Sequence, residues 1–248
     1  MSQVMFNWLD SKFESIESVS SRYRTNKPYP IVSMDNFLPE DIAVDLYKES
    51  LSIPTDKWKE FTRNGSHMIE LNKLELTPKA HELVSYLHSS KFLNYLEQVT
   101  GIESLIPDPH IVGGGYSRSF NGDTLQIHTD FNWNEQLKLH RTLSLIVYLT
   151  PDWKLEYGGG LNFYDKDRET IVFEGNCLFN TALLWEYNKY GFHGYTEPIA
   201  SPENLNRTTF RLFYYTSKST YDPNDPPHRS LYWVDPNSNE PIDNKLEK

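Results

Sequence analysis

One cysteine occurs in 248 residues, nowhere do 18 apolar residues run together, and no cluster of Lys and Arg breaks the acidic balance. With Cys177 alone, an internal disulfide framework is excluded, and a reducing compartment fits. No membrane span is expected. The opening MSQVMFNWLDSKFESIESVSS lacks the basic head and apolar stretch of a secretory leader, so the expectation is a cytoplasmic protein. Lys and Arg number 24 against 34 Asp and Glu, a net charge of -10. Such a balance repels phosphate backbones and anionic lipid, so neither nucleic acid nor a membrane is an expected partner. What is present is apolar mass: 38% hydrophobic and 14% aromatic residues with 23% charged. That describes a soluble globular chain able to bury a sizeable core, and an all-β barrel or sandwich of this length is commonly one unit.

The grammar of the chain changes near residue 105. Before it, residues 1 to 25 read as a marginal helix or packed arm, and YPIVSMDNFL reads as a short strand. Pro39 then opens a helix through Ile42, Ala43, Leu46 and Tyr47. In LTPKAHELVSYLHSSKFLNYLEQVTGI, Thr77 can cap, Pro78 sits in the first turn and Gly101 stops the run, with Ser89 or Ser90 dividing it in two. Residues 1 to 104 therefore form an arm and a helical support layer. From 105 to 220 short β-rich runs alternate with Gly, Asn, Asp and Pro, the pattern of a sandwich or closed barrel, the jelly roll among them. Residues 221 to 248 are rich in Pro, Asp and Asn and read as a surface extension, with His228 on the surface in preference to a lid. One mainly β domain with supporting helices is the expected architecture.

The chemistry concentrates around LQIHTD. A period of two puts Gln126, His128 and Asp130 on one side of the chain, so an imidazole and a carboxylate can converge on a point. His193, flanked by Gly191 and Gly194 beyond the run ALLWEY, can supply a third ligand. Two histidines and a carboxylate on one face of an octahedron leave three open positions, the arrangement of non-haem Fe(II) oxygenases. A dianionic co-substrate such as 2-oxoglutarate needs a fixed cation for its far carboxylate. Arg207, 14 residues after His193 at the head of RTTFRLFYYTS, has the fork geometry for it. The glycines at 113 to 115 and 158 to 160 neither open a helix nor precede Lys-Ser/Thr, so they read as turns or bulges and not as a phosphate loop.

These residues, with HRTLSLIVYLTPDW, YGGGLNFYD, FHGYTEP and RTTFRLFYYT, resemble the 2-oxoglutarate- and Fe(II)-dependent dioxygenases, in particular their prolyl-4-hydroxylase-like branch. The resemblance covers roughly residues 110 to 217. It implies a double-stranded β-helix (jelly roll) core in which His128, Asp130 and His193 hold Fe(II). It further implies consumption of 2-oxoglutarate and O2, release of succinate and CO2, and ascorbate as an accessory reductant. In the family a tyrosine on the strand after the first histidine helps hold the far carboxylate, and Tyr148 in LIVYL matches it. Tyr116 matches a tyrosine upstream of the metal motif. Because Asp130 is present, the halogenase outcome is blocked and hydroxylation is implied.

Alternation from Arg207 sends Thr209, Arg211 and Phe213 inward. Alternation from Tyr148 sends Ile146, Ser144 and Thr142 inward, and that from His193 sends Tyr195 inward. An inward Arg211 must be matched by an anion, from a protein carboxylate or from the substrate; because no acidic residue shares the inward face of its own strand, it is expected to recognise an anionic group of the substrate, beside Tyr195. The alternatives are a non-catalytic jelly roll holding a ligand or structural metal, and a binding module with exposed aromatic rows. A small molecule or a peptidyl residue would suit the site equally, and neither substrate nor oligomeric state is encoded in these patterns.

Overall fold

Helix starts and stops follow the chain's capping chemistry. In the computed structural model, which describes residues 15–71, 75–217 and 225–232, the Thr77 hydroxyl accepts from the Ala80 amide and Pro78 sits in the first turn of a helix over Pro78–Leu87. Ser89 does the same for Phe92 at the head of the next helix, Ser90–Thr100. That helix ends on Gly101 in the left-handed region, φ 78°. Named in chain order with Ile16–Thr25 (α1) and Glu40–Ser52 (α2), these two are α3 and α4. The arm expected over residues 1 to 25 is described only from residue 15, and residues 1–14 lie outside the described chain.

Among the described residues, fourteen strands form two antiparallel sheets. The strands are β1 (Ile31–Met34), β2 (Trp58–Arg63), β3 (Ser66–Leu71), β4 (Ile106–Pro107), β5 (Gly115–Ser119), β6 (Leu125–Thr129) and β7 (Trp133–Asn134), followed by β8 (Leu139–Tyr148), β9 (Asn162–Tyr164), β10 (Ile171–Glu174), β11 (Ala182–Glu186), β12 (His193–Tyr195), β13 (Arg207–Thr216) and β14 (Leu231–Tyr232). The larger sheet runs β1-β11-β8-β13-β5-β3-β2, with β4 on β13 and β7 on β8. The smaller runs β10-β9-β12-β6-β14. One apolar core, with Phe37, Leu46, Leu83, Phe92, Tyr116, Phe210 and Tyr214, lies between the larger sheet and the helices. A second, with Ile146, Tyr148, Phe163, Trp185 and Tyr195, fills the space between the sheets. This is the expected jelly roll with a helical layer behind one face. Among the described residues Tyr190 is the one aromatic in the strongly exposed apolar set, so the aromatic rows of a surface-binding module are absent there.

Strands begin well before residue 105. The β2–β3 hairpin turns at Asn64-Gly65, both at positive φ (49° and 79°), the dipeptide that a tight two-residue hairpin demands. It extends the larger sheet past β5, so residues up to 104 supply strands as well as support. Residues 225–232 belong to the fold too. The Asn132 amide donates to the carbonyls of Asp225 and Pro226 and accepts from the His228 amide, and β14 pairs with β6. His228, expected on the surface, has a side chain only 3% exposed, beside Asp225 and the Tyr187 hydroxyl. The rest of the C-terminal extension, 218–224 and 233–248, lies outside the described residues.

Tyr116 does not reach the interior of the barrel. Ser117 bonds Thr209 of the neighbouring strand on the inner face and Ser119 bonds Tyr195 across the interior, so alternation turns Tyr116 outward, edge-on to Phe210. Its hydroxyl donates to the Leu46 carbonyl in the helical layer at 3.1 Å. The co-substrate role expected for Tyr116 is therefore replaced by a packing role. Tyr116→Phe should lower stability by about 1 kcal/mol in denaturant unfolding, while the affinity for the expected co-substrate stays at the wild-type value. A loss of that affinity at wild-type stability would return Tyr116 to the site.

Candidate metal centre and co-substrate pocket

β6 and β12 are neighbours in the smaller sheet and pair His128 directly with His193. Asp130 follows β6 by one residue. The result is three ligand atoms, one each from His128, Asp130 and His193, all within 4.8 Å of one another. His128 Nδ1 donates to the Gln126 carbonyl and His193 Nδ1 to the Gly191 carbonyl, both at 2.9 Å. A carbonyl can only accept, so the proton of each ring sits on Nδ1 and each Nε2 lone pair is free. Asp130 oxygens stand 3.9 Å from His128 Nε2 and 3.6 Å from His193 Nε2, too far for hydrogen bonds. Three acceptors crowded together with no proton between them make a cation site. Two neutral imidazoles and one carboxylate fit Fe(II) and leave coordination positions for other ligands.

The rings are held by aromatic walls. His193 stacks on Phe163 with centroids 4.9 Å apart and meets Trp185 edge-on, while His128 stacks on Tyr232 at 5.0 Å. Burial, reinforced by the neighbouring His193, drives His128 down to about 4. Burial also pushes Asp130 up, but Arg141, His193 and His128 outweigh it and hold the carboxyl below its usual range.

Arg141 is the main residue that the sequence patterns did not single out. Its guanidinium donates to Asp130 Oδ2 at 2.8 Å and to Ser144 Oγ, and lies 3.6 Å from the centre of the Phe213 ring and 4.5 Å from that of Phe131. Alternation from Tyr148 puts Thr142 inward and Arg141 outward. The β8–β13 register shifts between Tyr214 and Tyr215, so Leu143 and Arg141 face successive residues of β13. This bulge at Thr142 turns Arg141 toward the metal centre.

Further into the barrel, Arg207 is buried and makes no ion pair with a carboxylate among the described residues. It donates to the Gly159 carbonyl, and its Nε has no partner. Its guanidinium lies 4.6 Å from the Tyr195 ring and 5.7 Å from the Tyr148 ring. The Tyr148 hydroxyl is buried without a partner as well. A desolvated cation beside orphan donors calls for an anion, and the far carboxylate of 2-oxoglutarate matches that need. Tyr195, expected on the substrate side, shares this co-substrate end through Arg207 and Ser119. Gly159 lies against this cation: at φ +79° a Cβ there would stand 3.1 Å from Arg207 Cδ.

Arg211 is inward as alternation requires, but it is not without a protein partner. Its Nη2 lies 2.5 Å from Glu70 Oε1, and Glu70 comes from β3. The expectation of a guanidinium awaiting a substrate anion is thereby corrected. The acidic partner sits two strands away in the sheet and 141 residues away in sequence.

Fold and site together make a jelly-roll barrel with a three-residue candidate iron centre, the arrangement expected of non-haem iron oxygenases. Residues 114–215 match the family model of the 2OG-Fe(II) oxygenase superfamily, and the fold resembles that of prolyl hydroxylases of known structure. The chain is 23% identical over 228 residues to the prolyl 3-hydroxylase OGFOD1 of Mus musculus, covering 84% of this chain but only 39% of the mouse protein. Two solved structures superpose with a TM-score of 0.58. One is a prolyl hydroxylase from Trichoplax adhaerens in complex with a hypoxia inducible factor peptide fragment (18% identity, 82% of this chain and 90% of that one). The other is a prolyl-4-hydroxylase from Pseudomonas putida (12% identity, 82% and 100%).

The depressed His128 sets a pH dependence. Between about 4 and the ordinary histidine value of 6.5, the unfolded chain takes up a proton that the folded metal-free protein refuses. Stability from this group is therefore full above 6.5 and is lost as the pH falls toward 4. Thermal melts of metal-free protein should show it, and His128→Asn should flatten the profile in that window. An unchanged slope would mean that His128 is not held neutral by burial.

Proposed function

We propose that this chain is an Fe(II)- and 2-oxoglutarate-dependent oxygenase that hydroxylates an unactivated C–H bond of a prolyl residue in a polypeptide. One atom of O2 goes to the new hydroxyl and the other to succinate, with loss of CO2. The observation that carries the reading is the pairing of two features in one barrel: three convergent metal-binding atoms, and a buried Arg207 with no protein carboxylate. A structural metal site has no need of the second, and turnover of oxoglutarate to succinate separates an oxygenase from a non-catalytic jelly roll that only binds a ligand.

Iron bound with oxoglutarate and O2 supplies the oxidising power. The chain's own residues bind and orient. His128, Asp130 and His193 hold the metal, and Arg141 fixes the carboxylate in place. Arg207 offers a two-point grip to the far carboxylate, with Tyr148 and Tyr195 as hydroxyl donors at its sides. Phe163, Trp185 and Tyr232 wall off the imidazoles and keep bulk water from the metal centre. Support for a prolyl substrate comes from the mouse relative and from the two prolyl hydroxylases of the same fold. A single buried thiol, Cys177, suits a reducing compartment, and we place the protein in the cytoplasm.

Purified protein with Fe(II), 2-oxoglutarate and prolyl peptides should form succinate in step with a product 16 mass units heavier, the mass of one oxygen atom. Arg207→Lys keeps the charge but loses the fork, so the oxoglutarate KM should rise about tenfold or more, equivalent to about 1.4 kcal/mol. Succinate formation with no mass change in any prolyl peptide would point to another substrate. An unchanged KM would remove Arg207 from the co-substrate site.

A further inference from the structure

We infer that Glu70 and Arg211 form a charge-neutral reader beside the metal centre, selecting a substrate residue held in amide linkage over one bearing a free carboxylate. The inference rests on the proposed oxygenase reading and deepens it by naming what the substrate must present. Two arginines flank the Asp130 side of the barrel. Arg141 is matched by Asp130 at 2.8 Å, and Arg211 by Glu70 at 2.5 Å. They are close neighbours: Arg211 and Phe213 are successive inward residues of β13, and the Arg141 guanidinium lies flat on Phe213. The charge of Arg211 also acts on Asp130.

Each guanidinium keeps one buried nitrogen donor with no acceptor, Nη1 on Arg141 and Nε on Arg211. Orphan donors of this kind cost free energy until an acceptor arrives. The two cations are already neutralised, so the acceptor that fits is a neutral oxygen such as an amide carbonyl, which satisfies the N–H without adding charge. A carboxylate would have to share the Arg211 guanidinium with Glu70, bringing two anions within a few Å of each other. Glu70 is thus the repulsive element of the site. The Arg211 and Glu70 side chains are 18% and 32% exposed, so a substrate can reach the pair from solvent. Met68, on the same face of β3, lies 3.8 Å from Arg211 Nη1 through its sulfur and adds an apolar floor.

Titration calorimetry on the protein loaded with Mn(II) and oxoglutarate separates the possibilities without turnover. The probes are an N-acetylated prolyl peptide ending in a C-terminal amide, the same peptide ending in the free proline carboxylate, and acetate. Wild type should bind the amide at least tenfold more tightly than the free carboxylate. Glu70→Gln should erase or reverse that preference and bind acetate at least tenfold more tightly than wild type, with Glu70→Ala giving the same result. Arg211→Gln should weaken the amide peptide and abolish the acetate gain when combined with Glu70→Gln. Equal binding of amide and carboxylate by wild type, or acetate binding unaltered in both Glu70 variants, would overturn the inference. If neither peptide binds wild type, the prolyl reading fails, and the acetate comparison still decides the role of Glu70.

Discussion

The Asp130 carboxylate is the constraint around which the site is built. It is a charge largely withdrawn from water, next to two imidazoles whose Nδ1 protons are given to backbone carbonyls and whose Nε2 atoms face it. In metal-free protein such a charge is bearable only with a cation at hand, and Arg141 supplies it. Arg141 in turn is tolerable in the interior because Ser144 accepts from it and two aromatic faces cover it. The pair holds the carboxylate in position before any metal arrives, which reduces the reorganisation that binding requires.

The two sheets divide the labour. The smaller one carries the metal ligands on its directly paired strands β6 and β12, and β14 caps the edge of β6 with Tyr232 against His128. The larger sheet carries the cations: Arg141 from β8, and Arg207 and Arg211 from β13. The site exists only where the two inner faces meet. Its far end, at Arg207, is buried and backed by Gly159. Its near end, at Arg211 and Glu70, is open to solvent. Co-substrate and substrate thus have ends of different character in one barrel.

Legibility in the sequence followed the range of the interactions concerned. Thr77, Ser89 and Gly101 act on neighbours within a few residues, and their caps stood where the sequence places them. Strand alternation likewise put Arg207, Thr209, Arg211 and Phe213 on one face, and His128 with Asp130 near one point. Arg141 was hidden because a one-residue bulge at Thr142 inverts the alternation on which any reading of β8 relies. Glu70 was hidden for another reason: it reaches Arg211 through sheet order, which a period of two does not encode. Asn64-Gly65 is a local signal of the same short range, a two-residue turn between β2 and β3. Tyr116 matched by its place in the chain, yet the serines on either side of it on the same strand take the inward positions.

The central claim is that one metal ion binds where His128, Asp130 and His193 converge, in a geometry set by Arg141. A Co(II) titration followed by visible absorption tests it most directly, in wild type, Asp130→Asn and Arg141→Met. One equivalent per chain should bind to wild type, and each variant should bind at least tenfold more weakly, about 1.4 kcal/mol or more. Unaltered stoichiometry and affinity in both variants would contradict the account.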